Sequence, residues 1–345
     1  MNKTALLGKT LNELKTIVSE LGMPSFTAKQ ISEWLYKKRA FSIDEMTNIS
    51  VMNRISLNER YELGRTLPVQ AAASTDGTVK YLFKTSGGHF IETVYIPEED
   101  RATLCVSSQV GCKMGCQFCM TGKQGFIAQL TTAEILNQIF SIPEAEKLTN
   151  LVFMGMGEPF DNTLPMLQSL EILTADYGYA WSPRRITVSS VGLIPGMKVF
   201  LEKSNCHLAI SLHSPFSQSR LELMPVEKSY PLSSVLEELR KHDFSKQRRV
   251  SFEYILFDGI NDSMRDAVEL VKILRGIDCR VNLIRYHTIP GVNLKGSGTE
   301  KMTFFRDYLT NNGVTATIRR SRGEDIDAAC GMLSTLEKEK KESEI

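Results

Sequence analysis

The 345-residue sequence lacks the segments that mark membrane and secreted proteins. No apolar run approaches the ~18 residues that a transmembrane helix needs. Charged residues interrupt the N-terminal stretch, which has no apolar core of the kind found in signal peptides. We therefore expect a cytoplasmic protein with no membrane partner. Internal repeats and low-complexity blocks are also absent from the sequence, which excludes repeat architectures.

A strong excess of charge of either sign is absent as well. The net charge is +1, and the 42% share of apolar residues is that of an ordinary globular protein. Short basic runs nevertheless occur at residues 37–39, 184–185, 246–249 and 319–322. Single runs of this length are usually solvated surface, and only together do they favour a nucleic-acid partner.

The residue patterns divide the chain into four predicted regions. Residues 1–65 have the pattern of short amphipathic helices and are expected to form an accessory, RNA-binding domain. Residues 66–100 contain two strand patterns around a glycine turn, which predicts a β-hairpin extension. Residues 101–300 alternate between strand and helix patterns. Residues 301–345 form a C-terminal segment that ends in a charged tail.

The alternating region predicts an α/β fold with a parallel sheet. Strands are predicted at residues 103–107, 150–155, 185–190, 206–212, 249–257 and 280–286, with helical patterns between them. Six such units fit either an open doubly wound sheet or a partial barrel. No Gly-x-Gly-x-x-Gly or phosphate-loop motif follows a strand, which disfavours a nucleotide-binding doubly wound fold. A further helix near 300–311 and a strand near 314–319 follow.

Cysteine spacing gives the first chemical signal. The sequence has seven cysteines, and in a reducing compartment they do not indicate a disulfide framework. Cys112, Cys116 and Cys119 follow a strand pattern with the spacing C-x3-C-x2-C. Three thiolates on one loop can bind three irons of a cubane and leave one iron open, whereas a cluster normally takes four cysteines. The alternative is a structural zinc site with Cys105 as the fourth ligand.

The same spacing resembles the signature of radical S-adenosylmethionine (SAM) enzymes, and residues 155–159 resemble their Gly-Glu loop. Four further segments are similar to the RlmN and Cfr family of radical SAM rRNA adenine methyltransferases. They are residues 105–111, 122–126, 211–213 and 322–331. The resemblance extends from about residue 78 to 333, and the N-terminal helical region also fits it. It implies a partial (β/α)6 radical SAM barrel with a small N-terminal helical domain and a β-hairpin extension.

The resemblance also implies the cofactors and the residues that hold them. One 4Fe–4S cluster is expected on Cys112, Cys116 and Cys119, with two SAM molecules consumed per turnover. The expected SAM contacts are Gly157, Glu158, Ser189, Ser211, Leu212, His213 and His287. His287 departs from the family pattern, because many relatives have an asparagine at that place, before Pro-x-x-Gly. A histidine still offers one donor and one acceptor.

Three further roles follow from the resemblance alone. Cys330 is expected to carry a methyl group on its sulfur, and Cys105 to resolve a covalent RNA adduct by forming a transient disulfide with Cys330. Glu92 is expected to accept the proton from the ring; without the family it would be taken as an exposed strand residue. These residues are needed because an adenine C2 or C8 carbon has no lone pair with which to attack the methyl group of SAM.

The expected reaction is methylation of C2 of an adenosine in 23S rRNA, and also of a tRNA adenosine next to the anticodon. The closest alternative is the Cfr type, which methylates C8 of the rRNA adenosine and gives antibiotic resistance. A zinc-binding RNA module and a radical SAM enzyme acting on a small molecule are more remote. We expect a monomer that receives electrons from a donor such as flavodoxin or ferredoxin.

Overall fold

The computed structural model describes residues 3–244 and 249–335. Its helices are α1 Leu11–Glu20, α2 Thr27–Ser32, α3 Val51–Arg60, α4 Met120–Gln124, α5 Thr132–Phe140, α6 Thr163–Thr174, α7 Ile194–Lys203, α8 Ser217–Leu223, α9 Leu232–Arg240, α10 Met264–Leu274 and α11 Thr299–Asn311. Its strands are β1 Thr4–Ala5, β2 Tyr61–Glu62, β3 Gln70–Ala73, β4 Val79–Lys84, β5 Phe90–Pro97, β6 Ala102–Cys105, β7 Gln109–Gly111, β8 Phe126–Gln129, β9 Asn150–Phe153, β10 Ile186–Ser190, β11 His207–Ser211, β12 Val250–Leu256, β13 Cys279–Arg285 and β14 Thr315–Ile318.

The main sheet has the strand order β14-β13-β12-β11-β10-β9-β6-β5-β4-β3. From β6 to β14 all neighbours are parallel, and each new strand is added on the same side as the last. A chain that winds in one direction gives a barrel-like sheet, whereas a doubly wound sheet reverses its direction. The partial-barrel prediction is therefore confirmed. The six predicted strands lie within two residues of β6 and β9–β13, and β14 adds a seventh.

Burial explains why these segments form the barrel. All seven residues of β12 are buried, as expected for a central parallel strand that is covered on both faces. The helices between the strands are amphipathic; α10, for example, buries Ala267, Leu270 and Leu274 and begins at a capping box on Ser263. This arrangement brings the carboxyl ends of the parallel strands to one mouth of the barrel, where sites form in such folds.

The N-terminal helices pack directly against the barrel. Helix α1 begins at Thr10, whose amide donates to the Glu13 carboxylate over 2.7 Å, as the capping-box pattern predicts. Gln168 of α6 donates to the carbonyl of Gly8 over 2.7 Å, and the Tyr36 hydroxyl donates to the carbonyl of Lys9 over 2.6 Å. One hydrophobic core therefore runs through both parts.

The predicted hairpin is present, with β4 and β5 antiparallel. Strand β5 also pairs with β6, so that the extension continues the main sheet. None of the helices in residues 3–244 and 249–335 is long and apolar enough to cross a membrane. Most of the predicted basic run 246–249 and the predicted charged tail lie outside the described residues.

Candidate active site

The three-cysteine loop begins where β7 ends. Strands β7 and β8 form a small antiparallel pair, and the Cys112 amide donates to the carbonyl of Gly125 over 3.0 Å. Gly111 has a φ of +70°, and a Cβ there would lie 1.7 Å from the Gly125 carbonyl oxygen. Only glycine therefore allows the two strands to approach each other and set the start of the loop. The Cys119 amide donates to the carbonyl of Cys116 over 3.2 Å, which turns the chain into α4.

The loop faces a cavity at the carboxyl ends of β9–β13, here called the central cavity. The predicted site residues that line it are Cys112, Cys116, Cys119, Gly157, Glu158, Ser189, Ser211, His213 and Cys330. They come from five separate segments of the chain, which the fold brings together around one cavity.

The three thiols fit a multinuclear cluster better than a single ion. Burial raises the pKa of Cys112 to about 12, and burial and the neighbouring thiols raise that of Cys116 well above its usual value. Such thiols become thiolates when a metal supplies positive charge. Within the described ranges, no three His, Cys, Asp or Glu side chains converge on one ion. A cluster in which each thiolate binds a different iron does not require the three sulfurs to converge on one ion.

Glu158 lies behind the cysteine loop and is fully buried. Its Oε1 accepts from the amide of Phe160 over 3.0 Å and its Oε2 from the amide of Val191 over 2.9 Å. Burial raises the pKa of Glu158 to about 7, although these hydrogen bonds oppose the shift. Gly157 precedes it with a φ of +100°, and a Cβ there would lie 2.5 Å from the side chain of Gln109. Close packing against β7 therefore requires a glycine at position 157.

His213 presents a fixed tautomer to the central cavity. Its Nδ1 accepts from the amide of Ile255 over 3.0 Å, and burial lowers the pKa of His213 to about 3. The ring is therefore neutral, and its proton lies on Nε2. The edge-to-face contact with Phe118, with 4.8 Å between ring centres, ties His213 to the cysteine loop.

Two predicted SAM contacts do not reach the central cavity with their side chains. Leu212 is buried in the core, and its carbonyl accepts from Nε of Arg220 over 3.1 Å. His287 lies beyond the end of β13 and turns away, with Nε2 3.0 Å from the Ser321 hydroxyl and Nδ1 3.7 Å from Glu324. The C-terminal segment therefore holds the ring of His287, and its role as a SAM contact stays a prediction.

The cysteine pair predicted from the resemblance meets in a second cleft, here called the thiol cleft. Cys105 at the end of β6 and Cys330 after β14 both line it, and Cys330 also lines the central cavity. Both thiols are free. Burial and the charge of Cys330 raise the pKa of Cys105 to about 12. Cys119 also borders this cleft, whereas Cys112 and Cys116 do not.

Glu92 is buried, so the expectation of an exposed strand residue is wrong. Its Oε1 lies 3.1 Å from Nζ of Lys80, and its Oε2 accepts from the amide of Ser334 over 3.0 Å. Burial raises the pKa of Glu92, while Lys80 opposes the shift. The C-terminal segment that carries Cys330 therefore contacts this carboxylate through Ser334 and covers it.

Sequence reasoning missed two charged residues at the site. Glu253 in β12 lines the central cavity, and Arg319 lines the thiol cleft. Their side chains form an ion pair with 3.6 Å between Oε2 and Nη1. A single acidic residue within the apolar strand pattern 249–257 is the signal that could have found Glu253. Arg319 was taken as part of a solvated basic run, but its side chain is largely covered.

Comparisons with known proteins agree with this geometry. The radical SAM superfamily model matches residues 106–271, and the ribosomal RNA large subunit methyltransferase N-terminal domain matches residues 4–63. A probable dual-specificity RNA methyltransferase RlmN of Phocaeicola vulgatus is 64% identical, covering 98% of this chain and 97% of that protein. The dual-specificity RNA methyltransferase RlmN of Syntrophus aciditrophicus is 42% identical, covering 97% of each.

This chain belongs to the RlmN family of radical SAM RNA methyltransferases. The crystal structure of a radical SAM methyltransferase from Sphaerobacter thermophilus superposes with a TM-score of 0.90 at 40% identity, covering 96% of this chain and 99% of that one. The family confirms the resemblance and the fold, and it implies a 4Fe–4S cluster and SAM. The three-thiol loop and the central cavity fit both.

Proposed function

We propose that this chain methylates C2 of an adenosine in 23S rRNA, and of a tRNA adenosine next to the anticodon, through S-methylated Cys330. Two SAM molecules are consumed for each methyl group that reaches RNA. The observation that supports the proposal is the position of Cys330. It borders the central cavity, where SAM would bind beside the cysteine loop, and also the thiol cleft that holds Cys105.

Cys330 suits the first methyl transfer because a thiolate can attack the methyl group of SAM, whereas C2 cannot. Its place in the cleft raises the pKa of the thiol, but the nearby Arg319 guanidinium opposes that shift. The residue as a whole is exposed, although its thiol lies within the cleft. Arg319 therefore favours the thiolate at the residue that must act as the nucleophile.

The second stage uses the residues around the central cavity. Cys112, Cys116 and Cys119 would hold the cluster, and Glu158, Ser189, Ser211 and His213 would surround SAM. With SAM bound, the cluster supplies the one-electron chemistry that activates the methyl group on Cys330. The buried cavity wall then excludes water from the reacting methyl carbon.

Glu92 and Cys105 complete the reaction. Glu92 has a raised pKa, which suits a base that takes the C2 proton near neutral pH. Cys105 would form a bond to the sulfur of Cys330 as the bond from that sulfur to the RNA-bound carbon breaks. The electron pair of the broken bond would pass to that carbon, which takes up a proton and becomes the methyl group. A reductant must then restore both thiols, and a donor such as flavodoxin or ferredoxin would supply electrons to the cluster. We propose that the chain acts as a monomer.

The decisive experiment uses anaerobically reconstituted enzyme with SAM, a reductant and rRNA that carries deuterium at adenine C2 or at C8. Mass spectrometry of the digested nucleosides reports which carbon lost deuterium and gained methyl. Loss at C2 is expected, and the Cys330→Ala variant should give no product. Loss at C8 would assign the Cfr type instead, and methylation at neither carbon would contradict the proposed function.

A further inference from the structure

Glu253 is a buried carboxylate that faces the central cavity with one oxygen unsatisfied. The residue is 3% exposed and lines the cavity. Oε1 accepts from Nδ2 of Asn282 over 2.8 Å. Oε2 has no hydrogen-bond partner among the described residues. The Nη1 atom of Arg319, at 3.6 Å, offsets the charge but lies beyond hydrogen-bond distance.

The orientation of this carboxylate is fixed by a row of polar residues across four strands. Ser211, Glu253, Asn282 and Thr317 lie opposite one another on β11, β12, β13 and β14. The Thr317 hydroxyl donates to Oδ1 of Asn282 over 3.0 Å, and Asn282 in turn donates to Glu253. Side chains that are opposite one another on neighbouring strands point to the same face of the sheet. The row therefore holds Oε1 and leaves Oε2 without a donor, on a side chain that lines the central cavity.

An unsatisfied buried carboxylate oxygen is costly, and such groups are rare unless a ligand or water completes them. The missing partner must be a hydrogen-bond donor that enters the central cavity. This requirement is independent of the cysteine loop, which lines the same cavity.

The chemistry of SAM identifies that donor. The amino acid part of SAM belongs at the cysteine loop, since the open iron of the cluster would bind it there. The part that remains for the rest of the cavity is the nucleoside, whose ribose carries two adjacent hydroxyl donors. Carboxylates are the usual acceptors for ribose hydroxyls in nucleotide-binding folds. Ser211, next to Glu253 in the row, offers a second polar contact for the neighbouring hydroxyl.

We propose that Glu253 binds the ribose of SAM, with Oε2 accepting a hydrogen bond from one of its hydroxyls. The inference rests on the proposed function in one respect, namely that SAM enters with its amino acid end at the cysteine loop. Asn282 and Thr317 are positioning residues that orient the carboxylate, and Arg319 offsets its charge.

The test compares the affinities of two ligands for the unmodified protein and for Glu253 variants. The dissociation constants are measured by equilibrium dialysis without RNA. Cluster-loaded enzyme with the cluster oxidised is used, so that SAM is bound but not cleaved. SAM is compared with its 2′,3′-dideoxy analogue. In the unmodified protein, loss of the hydroxyls should weaken binding by about tenfold or more, as expected for a hydrogen bond to a charged group.

In Glu253→Met that preference for the hydroxyls should fall by about tenfold, whereas the matched surface variant Glu300→Met should keep it. Glu253→Gln retains the acceptor for Asn282 and the shape of the side chain, and it covers the case in which the methionine variant fails to fold. Glu253→Gln should lose less of the preference for the hydroxyls than Glu253→Met. Its thermal unfolding midpoint, measured without SAM, should be unchanged or raised.

An unchanged preference in both Glu253 variants would overturn the inference. Equal weakening for SAM and for the dideoxy analogue would also overturn it, because the carboxylate would then act on another part of the ligand. Since RNA takes no part, methylation at C8 or at neither carbon would remove the proposed function and leave this result standing.

Discussion

The two sets of functional cysteines are assembled in opposite ways. Cys112, Cys116 and Cys119 lie on one loop, whose shape is set by the short β7–β8 pair. Cys105 and Cys330 lie far apart in sequence and meet because the segment after β14 crosses the mouth of the barrel. That segment is held on the far side where the Ser334 amide donates to Glu92 and the Thr121 hydroxyl donates to the carbonyl of Leu333.

The surrounding charges differ in the same way. Burial raises the pKa of Cys112 and Cys116, and Glu158 and the neighbouring thiols raise it further. Arg220 opposes this rise at Cys116 only. Arg319, in contrast, lowers the pKa of both Cys105 and Cys330 against the effect of burial. The loop is therefore built for metal, and the pair is built for thiol chemistry.

The largest expected effect separates the two sets by iron content. Cys119→Ala should lose the cluster and all methylation, because one iron would have no thiolate. Cys330→Ala should also abolish methylation but keep full iron content and the ability to bind SAM. Iron analysis and visible absorption after anaerobic reconstitution give the readout. Loss of iron in both variants would show that the two sets of cysteines are not separate and that Cys330 belongs to the metal site.

Removing Cys105 tests the pair from its other side. In Cys105→Ala, methyl transfer to Cys330 should proceed, but release of RNA should stop, because no second thiol can attack the Cys330 sulfur. A covalent protein–RNA species should then accumulate and be visible on a denaturing gel with labelled RNA. Cys206→Ala is the matched control, since Cys206 is buried away from both clefts. Normal turnover in Cys105→Ala would exclude the resolving role.

Glu92→Gln should slow product formation by about 10²- to 10⁴-fold, the usual loss when a positioned base is removed. The cluster should assemble normally, because Glu92 contacts Lys80 and Ser334 and not the cysteine loop. Methylated nucleoside and iron content are measured on the same preparations. Glu99→Gln, exposed beyond the end of β5, is the control. Unchanged product formation would remove Glu92 from the mechanism.

The same contrast explains what could be predicted from the sequence. The strands and the position of the three-cysteine loop after a strand depend on local patterns, and the structure has them where the patterns predict. The burial of Glu92 depends on a segment that returns from the far edge of the sheet, which no local pattern encodes. Arg319 belongs to a basic run that looks solvated, yet its position after β14 turns it into the thiol cleft. Contacts between segments that lie far apart in the sequence could therefore not be predicted from local patterns.

The smallest expected effect concerns Asp76, which holds the segment that crosses the mouth of the barrel after β14. Asp76 accepts from the amide of Gly323 over 3.1 Å and from that of Thr78 over 2.9 Å. Burial acts to raise its pKa, but these hydrogen bonds prevail and lower the pKa of Asp76 to about 2. A lowered folded-state pKa stabilises the fold above pH ~4 and loses that contribution as the pH falls toward 2.

Asp76→Asn should therefore reduce the free energy of unfolding by at most about 1 kcal/mol at pH 7, since the carboxylate is partly exposed. The difference from the unmodified protein should shrink at pH 3. Urea unfolding of cluster-free protein at both pH values measures it, so that acid loss of iron plays no part. If the segment positions Cys330, Asp76→Asn should also slow formation of the Cys105–Cys330 disulfide under mild oxidation. An equal rate in both proteins would show that the contacts at Thr121 and Glu92 hold the segment without Asp76.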